Sequence, residues 1–400
     1  MPYSTRARTF AVTCGVLLTV SGCVVGDESD DSKAAAPAVT PALSDTAVTV
    51  AADDISTPSY EAFALDTAGT GERLARFTAS DAQLKRITPQ ATLTRLSRFP
   101  ATVPAQGPST LQLQILLDRA GFSPGILDGM WGDNAAKALR WFRFANGIDT
   151  ASADGATTTK AVVDQATYEK LAGASSATDS LVVQYTVTSE DVKGPFVSIP
   201  EDVYEQAKLE CLCYASAVEG LAERFHTSRR ILAQLNPGVK FDSIAAGTMI
   251  SVPNVATSAS AAATPIAKLV ISRTHFWTHA VDASGRVIQH FPSTLGAGYD
   301  PSPTGDYRIT NIAKNPTFRY QPKLFAEVAD TKPEARLPKG PNSPVGVVWM
   351  AISKPHYGIH GTSSPETIGY ANSHGCVRLT NWDARRLSEI VRAGTPVEFL

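Results

Sequence analysis

The run Tyr357-Gly358-Ile359-His360-Gly361-Thr362 is followed, ten residues on, by Ser373-His374-Gly375-Cys376-Val377-Arg378-Leu379. These two short elements put one thiol, two imidazoles and several glycines into the last part of a 400-residue chain. A thiol attacks an acyl carbon as thiolate, and an adjacent imidazole is the usual way of reaching that form near neutral pH. His360 and His374 are both candidates for that imidazole. Gly375 frees the backbone on the N-terminal side of Cys376, so that amide N–H groups can turn toward an oxyanion with no Cβ in the way. The combination points to a cysteine nucleophile working through a tetrahedral acyl intermediate.

The two elements together resemble the G-I-H-G-T and S-H-G-C-[VI]-R signatures of the L,D-transpeptidases of bacterial cell walls. The sixteen positions between His360 and Cys376 fit that family, and the resemblance covers the last 135 residues. It implies Cys376 as nucleophile and His360 as general base. It further implies that the Gly361 carbonyl orients the imidazole, that His374 lines the donor site and that Arg378 braces the cysteine loop. Ser373, Gly375 and Tyr357 join them as supporting or substrate-binding positions. The implied reaction is attack on a peptidoglycan stem tetrapeptide with loss of D-alanine, followed by transfer to an amine of a second stem, with no cofactor. Transfer to an envelope lipoprotein or to water, as in an L,D-carboxypeptidase, shares the same acyl-enzyme. A reading from a different class is a non-catalytic cell-wall scaffold, against which both intact motifs argue.

Working outward, residues 266–400 are rich in strand signals. Phe276 to Val281 and Val287 to Phe291 flank Asp282-Ala283-Ser284-Gly285 and predict a hairpin. Pro301-Ser302-Pro303-Thr304-Gly305 resembles the family's lead into a strand. Val345 to Ile352 is a continuous apolar run suited to burial on both faces, and Thr395 to Leu400 predicts a closing strand. The resemblance implies a β-sandwich with a helix over Trp382–Arg392, capped by Asn381. Phe318 to Pro344 is an insert able to act as a lid.

Two smaller modules precede this domain. Residues 107–174 predict three helices: one capped by Ser109 and carrying Leu111, Ile115 and Leu116, one from Asn134 carrying Trp141 and Phe142, and a third near Thr167–Leu171. The intervening Gly121 to Gly132 resembles the loop of peptidoglycan-binding modules. Residues 182–255 open on Tyr185-Thr186-Val187 and close on Met249-Ile250-Ser251-Val252. Between them Leu221 to Phe225 and Ile231 to Gly238 resemble the helices and Asn-Pro turn of a β-α-α-β LysM domain, with an enlarged segment from Ser189 to Ala217. The fold class is therefore multidomain: a mostly-β sandwich catalytic domain preceded by a three-helix module and a LysM-like module, both implied to meet glycan strands.

At the other end, Arg6 and Arg8 precede an apolar run from Phe10 to Val20 too short for a permanent membrane span. Leu18-Thr19-Val20-Ser21-Gly22-Cys23 resembles a lipobox, implying a signal over 1–22, lipid attachment at Cys23 and anchoring to a membrane in the cell envelope, the outer one in a Gram-negative cell. Residues 23–106 are rich in Ala, Thr, Ser, Asp and Pro, the composition of a flexible tether. A net charge of −2 provides no basic footprint and excludes nucleic acid as a partner.

Of five cysteines, at 14, 23, 211, 213 and 376, the last three stay available after signal removal and lipidation. A working nucleophile cannot sit in a permanent bridge, and Cys211 and Cys213, one residue apart, predict two buried free thiols rather than a strained disulfide. His356, His360, His374 and Cys376 raise the question of zinc. His356 and His360 would share a face only on a helix, and the glycines around them favour strand and turn. No G-x-S-x-G elbow is present for a serine hydrolase.

Overall fold

The computed structural model describes residues 101–103, 106–148, 161–174, 181–255, 265–298, 301–324, 328–329 and 331–400. The expected leader, Cys23 and most of the tether lie outside these residues. β1 (Ala101–Val103) pairs antiparallel with β2 (Ala161–Val163), with α1 (Pro108–Arg119) and α2 (Asp133–Ala145) between them and α3 (Gln165–Ala174) after. The first helix begins earlier than Ser109: Gly107 is the N-cap and Pro108 fills the first turn, where proline's missing amide hydrogen costs nothing.

The next segment builds β3 (Val182–Thr186), the short α4 (Ser189–Lys193) and α5 (Val203–Gln206), α6 (Ala217–Arg224), α7 (Arg229–Leu235) and β4 (Met249–Pro253). β3 and β4 pair antiparallel, and Val187, Val218, Leu221, Leu232, Ile250 and Val252 close a small core between them and the helices. Asn236 fixes the end of α7 on β4: its side-chain amide donates to Leu232 O and Ser251 O, and its Oδ1 accepts from Ser251 N. Cys211 and Cys213, expected as free buried thiols, form a disulfide and are only half-buried. The chain bends at Leu212 so that the Cα atoms stand 5.2 Å apart, inside the usual range for a bridge.

The remaining strands are β5 (Lys268–Ser272), β6 (Trp277–Val281), β7 (Val287–Pro292), β8 (Leu295–Gly296), β9 (Gly305–Lys314), β10 (Phe318–Tyr320), β11 (Ala335–Leu337), β12 (Val348–Ile352), β13 (Gly358–His360), β14 (Asn372–Ser373), β15 (Val377–Arg378) and β16 (Pro396–Phe399). The expected hairpin is β6–β7, and its turn is held by the Asp282 carboxylate, which accepts from Ser284 N, Ser284 Oγ and Arg286 N. Where a sandwich was expected, eight of these strands form one mixed sheet in the order β15-β13-β12-β9-β16-β5-β6-β7, and the other four make two small pairs, β10–β11 and β8–β14. β9 explains the difference. Its first half, Gly305–Arg308, pairs with β16, whereas Ile309–Lys314 pairs with β12, so one long strand carries two offset half-sheets. Side chains from both halves, among them Ile271, Phe291, Met350 and Ile359, share one core with Ala384 and Leu387 of α8 (Asn381–Ile390). The sheet is thus curled around the helix, and the closing strand β16 lies inside the sheet between β9 and β5. The expected run Val345–Ile352 is strand only from Val348, with Trp349 and Ala351 less buried than their neighbours. Thr380, not Asn381, caps α8, its hydroxyl accepting from Asp383 N.

The helical module is docked on the sheet. Ser123 N donates to His290 O and His290 N donates to Gly121 O, so the loop after α1 covers the edge of β7. Trp141 of α2 packs against Trp277 and His279, which share an apolar cluster or ring contacts with it. His279 and His290 lie buried 2.9 Å apart between their nitrogens, and burial holds both below the ordinary imidazole range.

One buried charge cluster joins three parts of the chain. Asp118 of α1 is fully buried and accepts from Arg386 Nη2 of α8 at 3.2 Å and from His226 Nδ1, just after α6, at 3.1 Å. Burial alone would raise the Asp118 carboxyl, but Arg386 and His226 outweigh it and hold it well below the carboxylate range. Asp383, beside them, is pushed up to about 6 by burial, which the Arg386 charge only partly offsets, and by the Asp118 charge, while its Oδ2 accepts from Ser123 Oγ. Stability from a depressed carboxyl is present above its unfolded value and lost on acidification. Arg386→Met should therefore lower stability at pH 7 by about 3–5 kcal/mol, because Asp118 is left charged and buried. That deficit should shrink on acidification below pH 7, because burial without Arg386 raises the Asp118 carboxyl and lets it take up a proton in the folded state. Denaturant unfolding of both proteins at pH 7 and pH 4 checks this.

Candidate active site

β13 pairs antiparallel with β12, setting Trp349 opposite His360, and parallel with β15, setting Ile359 opposite Val377 and His360 opposite Arg378. The two sequence elements, sixteen positions apart, thereby become neighbouring strands. Cys376 stands one residue before β15, whose Val377 and Arg378 are in register with Ile359 and His360. Gly358 has no room for a Cβ, which would lie 2.6 Å from the Trp349 ring, and that ring stacks on the His360 imidazole with centroids 5.3 Å apart.

The imidazole is fully buried, and its Nδ1 donates to Gly361 O at 2.6 Å, as expected for that carbonyl. The proton is thereby placed on Nδ1, leaving Nε2 as an acceptor; Nε2 is buried with no hydrogen-bond partner. Burial first, and then the Arg378 charge, lower the His360 pKa to about 3, against a small opposing effect of the Gly361 carbonyl. His360 is thus neutral at working pH, a proton acceptor rather than a standing cation. Arg378, expected to brace the cysteine loop, stands opposite His360 with its backbone N–H and C=O both paired to Thr294.

Cys376 is 1% exposed and is outside any disulfide; its Sγ donates to His356 O at 3.8 Å. The loop before it is held from several sides. Ser302 Oγ donates to Gly375 O and accepts from Gly296 N, while Ser373 Oγ donates to Cys376 O and Ser373 O accepts from Ala297 N. Gly375 has φ +89°, and a Cβ there would stand 2.7 Å from Cε1 of Tyr357. The glycine requirement read from the sequence therefore has two causes, a left-handed backbone and the Tyr357 ring packed over it. His374 is largely buried in the same loop.

Two contributors escaped the sequence reading. Ser302 lies in the Pro301–Gly305 segment, but nothing in that segment shows that it reaches Gly375. Asn381, read as a helix cap, instead packs its Oδ1 between Gly346 and Gly361: a Cβ on either would meet that oxygen at 2.0 and 2.1 Å. The same oxygen accepts from Val347 N at 3.1 Å. A cleft of about 480 Å³ is lined by Phe318, Arg319, Trp349, Lys354, His356 and Tyr357 among others, His356 and Tyr357 being residues that contact the Cys376 thiol and Gly375. The insert expected as a lid contributes Phe318 and Arg319 of β10 and the following Gln321 to its lining.

A profile of the L,D-transpeptidase catalytic domain, the YkuD family, matches residues 267–399. Similar to this chain is YkuD of Bacillus licheniformis, assigned as an L,D-transpeptidase, at 31% identity over 180 residues, 45% of this chain and 91% of that protein. YbiS of Escherichia coli K12, likewise assigned, is 28% identical over 186 residues, 46% of this chain and 60% of its own. A crystal structure of an L,D-transpeptidase from Xylanimonas cellulosilytica covers 76% of this chain and 98% of its own, at 16% identity and a TM-score of 0.32.

A base held near 3 stays unprotonated as the pH falls and is lost only when the pH passes through that value. Any rate that depends on the unprotonated His360 should therefore show no acid limb at the ordinary imidazole pKa of about 6.5; a pH–rate profile with its midpoint there would contradict the buried, neutral imidazole. Gly375→Ala should cost about 100-fold in rate through displacement of Cys376, together with about 1–3 kcal/mol of stability from the strained backbone, both measurable on the purified variant.

Proposed function

Because the chain belongs to the L,D-transpeptidase family, we propose that it acts on peptidoglycan stem peptides through an acyl-enzyme on Cys376. The observation that carries this reading is the neutral, buried His360, its Nε2 open and its Nδ1 proton fixed on Gly361 O, on the strand paired with the one Cys376 leads into. In this reading Nε2 takes the Sγ proton as sulfur attacks the carbonyl between the third residue and the terminal D-alanine of a tetrapeptide stem. The C–S bond forms, the amide C–N bond breaks, and His360 returns the proton to the departing D-alanine amine. The side-chain amine of a third-residue diamino acid then attacks the thioester, and the proton it sheds returns through His360 to the thiol.

Backbone N–H groups around Gly375 and Cys376 are the candidate donors to the oxyanion, a role in which one donor is typically worth about 3 kcal/mol. The Ser302 and Ser373 bonds to the two carbonyls of that loop turn the opposite edges of these peptides outward and so support it. The leader-like residues 6–23 support placement in the cell envelope on a lipid at Cys23, and the likeness of residues 107–174 and 182–255 to glycan-binding modules supports glycan strands as a further partner.

Intact-mass spectrometry with a tetrapeptide stem tests the reading. Native protein should gain a tripeptide acyl adduct, release D-alanine and, with an amine acceptor present, yield a cross-linked dimer. Cys376→Ala should do none of these, and His360→Gln should lose at least about 100-fold in adduct formation. Adduct formation followed only by hydrolysis would make the enzyme a carboxypeptidase; no adduct with native protein would overturn the proposal.

A further inference from the structure

The carbonyl that holds the His360 tautomer belongs to Gly361, and Gly361 is pressed against the Asn381 side chain. That amide has a defined orientation: Oδ1 accepts from Val347 N, so Nδ2 must find acceptors on the other side. It has two, Pro341 O at 3.1 Å and Oε2 of Glu223 at 2.9 Å. Glu223 belongs to α6, outside the catalytic domain. Its second oxygen, Oε1, accepts from the hydroxyl of Tyr214 at 2.7 Å, also outside that domain.

We infer that Glu223 is a positioning residue for the catalytic histidine, acting from the LysM-like segment through Asn381 and Gly361. The inference rests on the reading of His360 as the base. Each link is a close contact. Glu223 fixes the Asn381 amide; the amide sets the approach of Gly346 and Gly361, whose backbones leave no room for a Cβ on either; Gly361 O then fixes the proton on Nδ1 of His360. Neighbouring contacts reinforce the same junction. Asn342 donates through Nδ2 to Cys213 O and to Glu219 Oε1, and Leu212 N donates to Lys339 O, so residues 339–347 are strapped to the α6 region just before they reach Gly346. A half-buried carboxylate, facing Arg385 and Glu219 and bonded to one amide and one phenol, is held there by specific partners and not as a surface charge alone. Nothing in the catalytic motifs themselves predicts it.

The test uses the full chain with Glu223→Met, which keeps the volume, Glu223→Ala, and Glu223→Gln, which still accepts a hydrogen bond from Asn381. Two readouts are taken: D-alanine release from the tetrapeptide stem, and the imidazole ¹⁵N spectrum, in which the His360 signals are identified by their loss in His360→Gln. In Glu223→Met and Glu223→Ala, kcat should fall at least about tenfold with KM within about twofold, since the loss is of geometry at the reacting atoms and not of binding. The His360 signals should shift away from a single Nδ1–H tautomer, and Glu223→Gln should restore both readouts. Should neither variant fold, Tyr214→Phe, which removes only the hydroxyl donating to Glu223, is held to the same two criteria. Unchanged kcat in the variants, or a lower kcat with the His360 signals unmoved, would overturn the inference, because the module would then act as a prop without reach to the base. If the native protein released no D-alanine, the proposed function would fall, and the tautomer signal would still decide the role of Glu223.

Discussion

Two residues of parallel pairing, Ile359 with Val377 and His360 with Arg378, are the constraint on which the site depends. So short a ladder carries little stability of its own, and parallel pairing is slightly weaker per residue than antiparallel. It survives because both strands are held elsewhere. β13 leans on β12 through three antiparallel pairs, and β15 is tied at Arg378 to Thr294 by a reciprocal pair of backbone bonds. Around the pairing, Trp349, Tyr357, Gly358 and Gly375 form a packed set in which two aromatic rings occupy the space that Cβ atoms would need. Desolvation of His360 is a consequence of that packing, and the neutral imidazole with its fixed tautomer follows from desolvation together with one carbonyl.

The N-terminal segments are built into the same body. Their apolar residues share a cluster with Trp277, Val281 and Val287 on the outer side of the curled sheet, and their polar residues finish networks begun in the catalytic domain. Asp118 with Arg386, Ser123 with Asp383, and Glu223 with Asn381 are buried or part-buried pairs, each with one member on α8. Such pairs contribute less to net stability than to uniqueness of arrangement, because their desolvation is expensive and any misalignment leaves a charge or amide unsatisfied. α8 is consequently the beam between the site on one side and the docked helices on the other. Segments that read as independent wall-binding modules are, in the folded chain, hydrogen-bonded to the helix of the catalytic domain.

Much of the catalytic core was legible because its signals are local. The β6–β7 hairpin follows from Asp282 and Gly285, whose turn chemistry is complete within five residues. The strand after Pro303-Thr304-Gly305, the closing strand β16 and the helix after residue 380 likewise follow from short patterns. Legibility failed where the deciding partner is distant in sequence. Asn381 has the composition of a cap and is instead a bridge; Cys211 and Cys213 looked too close to bond until the bend at Leu212 set their Cα atoms 5.2 Å apart. His226 and its carboxylate partner Asp118 are 108 residues apart, so no local pattern joins them.

The sequence by itself determined the chemistry: one thiol, the histidines that can serve it, and glycines where a side chain would obstruct backbone and ring, all within a run short enough to be read as a unit. Only the tertiary structure decided that the His360 imidazole is buried and neutral, which tautomer it keeps and what holds it. Those are properties of burial and of contacts across the fold. Local order along the chain specifies strands and turns, but the field at His360 is set by the side chains and backbone that folding gathers around it, Trp349, Gly361 and Arg378.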